Sequence, residues 1–283
     1  MSSIAGVSVD KALEESFLQL QKIESQIQRA DAKVEQFKNQ LFTPIYNRRR
    51  EYLKTIPKFW YVVLAQHEDF QEYVSVEDMK YMELISDLYV EFWDETKTDE
   101  SDEVTKNSLP KKGFTITVTF KNINDDKDID IKEQTVTKRF EWVVNAETGT
   151  RQLQSEPVAI EWPTELKNIN PEALKQKAKD EGRTLNTEEK KSYRQGMRSF
   201  FSFWQWTGLK TGKEYRNGED LATFIAEDIF PAALDYYVLA APGLGDNDEE
   251  GDDCISGEEL DLSDDEGNEE EEKEAGDKKR QKQ

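Results

Sequence analysis

The sequence predicts an α+β protein: a long N-terminal coiled-coil dimerisation helix, then a globular domain whose four-stranded antiparallel sheet is flanked by helices. Three observations predict it. Apolar residues recur every seven positions from Leu13 to Leu41. The middle of the chain switches to alternation, with Phe114, Ile116, Val118 and Phe120 separated by threonines. A helical pattern, EDLATFIAEDIFPAALDYYVLAA, then closes the globular part.

The first helix rests on its heptads. Leu13, Leu20, Ile27, Val34 and Leu41 hold one core position, and Ile23, Ala30 and Phe37 the other. Phe17 stands beside Ser16, which interrupts the second series. No proline or glycine lies between Val7 and Pro44. At ~1.5 Å per residue such a helix is about 50 Å long, more than a small domain is wide. Packing on its own domain is the ordinary fate of a helix. A narrow seam that outruns the domain has to be buried on a second chain, so dimerisation is expected. Thr43-Pro44 reads as a restart, since proline suits a first helical turn. Residues 8–54 are thus expected to hold the long helix and a shorter following one. Ile56-Pro57 repeats the device and opens PKFWYVVLAQHEDFQEYV as a helix. Arg48, Arg49 and Arg50 read as a solvated face paired with nearby carboxylates rather than a nucleic-acid patch.

Residues 55–242 are expected to form the globular domain. Leu88, Val90 and Phe92 mark one strand, and Phe114 to Phe120 the next. Val136, Phe140, Trp142 and Val144 mark a third, with Lys138 breaking its apolar face, and Val158, Ile160 and Trp162 a fourth, ended by Pro163. Polar, turn-rich connections imply a meander with one wet face. Residues 164–192 are lysine-rich and poor in apolar side chains, so they read as a mobile insertion with a helical turn or two. Phe200, Phe201, Phe203, Trp204 and Trp206 are expected in the core. The last helix should bend or restart at Pro231.

Residues 243–283 read as a disordered acidic tail. From Asp246 to Asp277 there are eighteen acidic residues and one lysine. The chain has 60 acidic and 38 basic residues, a net charge of −22. A phosphate backbone is therefore an improbable partner, and sequence-specific nucleic-acid binding is not expected. A basic protein is the natural partner. Lys278, Lys279, Arg280 and Lys282 fit a short nuclear-import signal. Ser256 and Ser263 precede acidic residues, as acidophilic kinases prefer.

Composition narrows the chemistry further. The one cysteine, Cys254, permits no disulfide within the chain and no cysteine-rich metal site. His67 is the one histidine and reads as an ordinary helix-end residue. No secretory signal is expected from MSSIAGVSVDKALEESF, and no run of eighteen apolar residues suggests a membrane span. The expectation is a soluble intracellular protein. No phosphate loop, dinucleotide fingerprint, H-E-x-x-H or G-x-S-x-G occurs. DDKDID at 125–130 lacks the sixth-position glycine and twelfth-position glutamate of a calcium loop. Neither enzyme, metal nor cofactor is expected.

IPKFWYVVLAQH, SFFSFWQW, EDIFPAALDYY, the heptad helix and the acidic tail together resemble the nucleosome assembly protein/SET family of histone chaperones. EQTVTKRF, SEPVAIEWP, INPEALKQK, YRQGMRSFF and WTGLKTGKEYRNGEDLA resemble its fungal branch named for vacuolar protein sorting (Vps). The resemblance spans about Leu13 to Tyr237. It implies a homodimer of antiparallel long helices, each globular "earmuff" lying over one end. It implies nuclear localisation, with shuttling to the cytoplasm open. It implies binding of core histones, the arginine-rich tetramer-forming pair first and the dimer-forming pair also possible, and a cofactor role toward a fungal histone acetyltransferase. Leu13, Phe17, Leu20, Ile23, Ile27, Ala30, Val34, Phe37 and Leu41 would pair the dimer. Glu219, Asp220, Glu227, Asp228 and Asp235 would face histones, with Glu227 and Asp228 inside the motif E-[DE]-[IL]-[YFW]-P. The insertion from Pro171 to Lys191 would help contact the acetyltransferase. The tail is shorter than that of SET proteins and interrupted by serine and glycine. An acidic scaffolding or SET-like phosphatase-inhibitor role is the alternative.

Overall fold

The computed structural model describes residues 3–67, 69–95, 111–122, 131–145 and 149–241, the side chains of 3–10 and 12 excepted. Helix α1, Ser3–Leu53, is a single helix of 51 residues, about 75 Å at the α-helical rise. The expected restart at Pro44 does not occur. Pro44 leaves the carbonyl of Gln40 without its helical N–H, and beside it the Thr43 hydroxyl donates to the carbonyl of Asn39 at 2.7 Å. The C-terminal turns are then held from outside. Arg50 forms a bidentate pair with Asp87, and Tyr89 donates to Asn47 at 2.8 Å. Tertiary contacts thus offset the cost of the proline.

Helix α2, Phe59–Gln66, ends at His67, earlier than expected, and Phe70–Tyr73 forms a separate short turn of helix, α3. After α4, Met79–Met82, comes the sheet: β1 Ile85–Glu95, β2 Lys111–Phe120, β3 Gln134–Val144 and β4 Arg151–Ser155. The order is β1-β2-β3-β4, antiparallel throughout. Phe92, Phe114 and Phe140 stand in register, as do Val118 and Val136. Period-2 alternation sends Phe114, Ile116, Val118 and Phe120 inward. The opposite face carries threonine pairs, Thr117 with Thr137 and Thr119 with Thr135, at 3.0 and 2.9 Å.

The fourth strand is not the expected one. RQLQS has a single buried apolar residue, Leu153, and gave little sequence signal. Residues 158–161 are extended but bonded elsewhere. The Val158 N–H donates to Trp204 O, and the Gln205 amide donates to Val158 O. The Gln134 side chain pairs both backbone groups of Glu161. Pro157 lacks the N–H a ladder needs, and Trp162 is buried against Phe201.

Residues 164–192 carry more regular structure than the helical turn or two expected. A 3₁₀ segment, Thr164–Ile169, leads into α5, Pro171–Asp180, and α6, Thr187–Gly196. Asn170 and Asn186 cap the two helices, the second through a capping box with Glu189. Arg183 binds Glu189 bidentately at 2.6 and 2.7 Å. The burial of Leu166, Ile169 and Ala178 ties the segment to the core. Lysines hid this helical pattern because the apolar face is only one residue wide.

Helix α7, Phe200–Phe203, places the expected aromatics in the core. Phe201 lies on Phe120 and Phe203 on Phe140, 5.8 and 5.9 Å between ring centres. Helix α8, Gly218–Phe224, continues through a π-turn, Ile225–Ile229, and after Pro231 the chain resumes as α9, Ala233–Ala240. Lys138 does not merely break the apolar face. It is fully buried, and its Nζ donates to Glu156 O and Trp204 O at 2.7 and 3.0 Å.

Candidate functional site

Two surfaces carry the sequence-predicted residues. The first is the seam on α1. Leu13, Phe17, Leu20, Ile23, Ile27, Val34, Phe37 and Leu41 are each about half or more exposed, between 49 and 69 %, and Ala30 is exposed too. The helix meets its own domain through another face, and that face is polar. Glu35 pairs with Lys112, Gln36 donates to Asp94, and Asn47, Arg49 and Arg50 follow about three and four turns later. The last turns add apolar contacts, Leu53 in the core and Tyr46 against Phe230, and the heptad stripe stays bare. Eight large apolar side chains in one line exceed the scattered exposure a solitary soluble surface shows.

The arginines did not all fall where expected. Arg50 is paired, with Asp87, but Arg49 meets no carboxylate. Its guanidinium lies 4.6 Å from the ring centres of both Tyr46 and Phe230. It donates to Phe230 O at 2.6 Å and Pro231 O at 3.0 Å. Burial lowers its pKa from the ordinary arginine value. Arg49 fastens the long helix to the turn between α8 and α9 and Arg50 fastens it to β1, while Arg48 is exposed as expected.

The second surface is acidic. The close approach of Gly218 to Trp206 sets the start of α8: a Cβ on Gly218 would lie 2.4 Å from the indole Cγ. This fixes Glu219 and Asp220 in the first turn of the helix. Glu227 and Asp228 follow in the π-turn. Asp228 accepts from the Tyr236 hydroxyl at 2.7 Å and lies 3.7 Å from His67 Nε2. Asp69 is 3.9 Å from His67 Nδ1, which is buried and makes no hydrogen bond among the described residues. The His67 ring is wedged against Phe224 and Tyr236, with centres 4.5 and 5.1 Å away. His67 ends α2 as expected and also stands at the centre of the cluster.

Electrostatics maps the rest. The Tyr236 hydroxyl is pushed up to about 12, first by its bond to Asp228, then by burial, Asp228, Asp235 and Asp69. Tyr73 is raised by burial and then by Asp220, Asp69 and Glu72. Asp69, Glu72, Asp220, Asp228 and Asp235 thus share one field around His67, Tyr73, Phe224 and Tyr236. Glu227 acts elsewhere, on Arg151, together with Glu35. Glu219 is half-buried and exerts no named influence on that cluster. None of these acids forms an ion pair with lysine or arginine among the described residues. Asp69 and Glu72 were missed from sequence because HEDFQEYV read as helix interior. The end of α2 at His67 turns them onto the same surface.

The acidic tail and Lys278, Lys279, Arg280 and Lys282 lie outside the described residues, as does the 125–130 segment. Among the described residues no group of three histidine, cysteine or acidic side chains is arranged to hold a metal ion. No described helix is long and apolar enough to cross a membrane.

Comparison with known proteins adds independent findings. The family profile described as nucleosome assembly protein (NAP) matches residues 48–239. Vacuolar protein sorting-associated protein 75 of Saccharomyces cerevisiae is 37% identical over 255 residues, 89% of this chain and 87% of that protein. NAP1-related protein 2 of Oryza sativa subsp. indica is 29% identical over 251 residues, 86% of this chain and 84% of the other. The crystal structure of the Vps75 histone chaperone superimposes with a TM-score of 0.63 at 36% identity, covering 80% of this chain and 98% of that one. The Ccp1 crystal structure gives 0.52 at 25% identity, with coverage of 85% and 100%.

Proposed function

The chain belongs to the nucleosome assembly protein family, and we propose that it is a homodimeric histone chaperone. It binds core histones through Asp69, Glu72, Asp220, Asp228 and Asp235, assists nucleosome assembly, and acts by binding rather than by catalysis. One observation carries the histone assignment. Five carboxylates share a surface with a histidine and three other aromatic rings, and none is neutralised by lysine or arginine among the described residues. Histone lysines and arginines supply the missing cations, through charge-assisted hydrogen bonds to the carboxylates and cation–π contact with Tyr73, Phe224 and Tyr236. The arginine-rich, tetramer-forming histone pair suits a carboxylate surface best, because guanidinium binds carboxylate bidentately.

Dimerisation follows from the bare seam of α1, and pairs the acidic surfaces so that one histone assembly meets both. The protein also serves as a cofactor of a histone acetyltransferase. The exposed lysines of α5 and α6 support that role as a surface distinct from the acidic one. The nucleus is its place of work, with Lys278, Lys279, Arg280 and Lys282 as the address.

The test is histone binding by the full chain across a salt series. Asp220→Lys with Asp228→Lys should weaken binding about tenfold or more, and wild-type affinity should fall as salt rises. Affinity that survives this reversal and is matched by polyglutamate of similar length would leave an acidic scaffold in place of a chaperone.

A further inference from the structure

The described surface holds a second charged feature, of opposite sign. Between the turn Val74–Glu77 and the end of α6 lies an open groove of about 740 Å³. Lys191, Arg194, Arg198 and Arg216 line it, all exposed. Lys191 and Arg194 are three residues apart on α6, which aligns them along one face, and Arg198 follows in the turn that ends the helix. Glu72 and Glu77 stand on the opposite wall. Among the described residues no ion pair engages any of the four cations. Elsewhere Arg50, Lys111, Lys112 and Arg139 each meet a carboxylate. Four unmatched cations in one groove of a chain with net charge −22 call for an external anion.

The groove is preformed. Its wall at Ser75 is locked to the segment after Arg198 by buried Asp78. Asp78 accepts from the Ser75 hydroxyl at 2.6 Å, the Ser199 hydroxyl at 2.7 Å and the Phe200 N–H at 2.9 Å. The buried Tyr215 hydroxyl donates to Tyr73 O and closes the base. A ligand therefore meets cations on a fixed backbone, and little ordering opposes binding.

We propose that this groove docks a linear acidic segment of a protein partner, whose carboxylates bind Arg194, Arg198, Arg216 and Lys191. Three of the four cations are arginines, whose planar forks match carboxylate geometry. The opposite wall argues against nucleic acid. Duplex DNA presents a charge every ~1.7 Å and cannot keep all of them away from Glu72 and Glu77, whereas a peptide can place its carboxylates beside the guanidinium groups alone. The proposal does not rest on the histone assignment: it stands on the four cations, although Glu72 and Tyr73 border both surfaces.

The experiment uses the full chain and a fluorescein-labelled glutamate/aspartate peptide of about ten residues, read by anisotropy. Saturable binding is expected, weakened about tenfold by Arg194→Glu with Arg198→Glu and severalfold by Arg216→Glu alone. Lys210→Glu with Lys213→Glu, exposed cations outside the groove, should change it by less than about twofold. The groove variants should keep their wild-type near-ultraviolet circular dichroism, which shows that the fold is intact. Equal loss in both pairs of variants would mean diffuse attraction and overturn the site. Absence of saturable binding would also overturn it, and stronger competition by duplex DNA than by the peptide would overturn the class of partner.

Discussion

At the scale of single residues, the most consequential side chains are polar ones inside the core. Lys138 stands on the inward face of β3, opposite Ile116, with both hydrogen-bond partners on backbone carbonyls. Burial lowers its pKa to about 7, against the opposing fields of Glu214 and Glu156. The sign of the consequence is fixed. Between about pH 7 and the ordinary lysine value near 10.5 the unfolded chain holds a proton that the native state lacks, so stability rises with pH across that window and is flat below it. Urea midpoints from pH 7 to 10 should climb more steeply for the wild type than for Lys138→Met, by on the order of 3 kcal/mol over the window; parallel curves would refute a depressed lysine. Asp78 is the second case, fully buried and accepting from Ser75, Ser199 and Phe200. Asp78→Ala strands buried donors and should cost about 3 kcal/mol in chemical unfolding. A cost below about 1 kcal/mol would show that water replaces the carboxylate. Neither role was legible in sequence. The period placed Lys138 on the apolar face, but whether it ends among carbonyls depends on residues 156 and 204, far away in the chain.

At the scale of elements, α1 shows both what periodicity gives and where it stops. The heptads identified the seam, and the same residues are exposed on the described chain. Each such side chain contributes about 1.5–3 kcal/mol when buried. Leu20→Glu with Ile27→Glu should therefore convert a dimer to a monomer by light scattering, while the globular domain keeps its near-ultraviolet circular dichroism. A variant that remains dimeric would place the interface elsewhere. The Pro44 expectation failed because a local rule met tertiary anchors, Arg50 on Asp87 and Arg49 on the Phe230 carbonyl. The fourth strand failed for a related reason. Strand identity depends on pairing, and Leu153 finds Trp142 across the ladder while Val158 is bonded to Trp204.

At the scale of the whole molecule, charge decides the class of partner. With 60 acidic and 38 basic residues, the protein attracts basic ligands over several ångströms, and that attraction weakens with salt. A chain ending at Gly245 loses eighteen acidic and five basic residues. Its histone affinity should depend less steeply on salt than that of the full chain, while the Asp220 and Asp228 reversals should still weaken it; identical salt slopes would assign the tail no part in binding. The sequence by itself determined the α+β class, the apolar stripe of α1, three of the four strands, the aromatic core and the protein's own negative charge, because these rest on period and composition, which are local or additive. Tertiary structure alone decided that Asp69, Glu72, Asp220, Asp228 and Asp235 share one surface around His67, and that four cations line a groove of their own. Which charges stay unneutralised depends on distances between residues remote in the chain, and no local pattern encodes those distances.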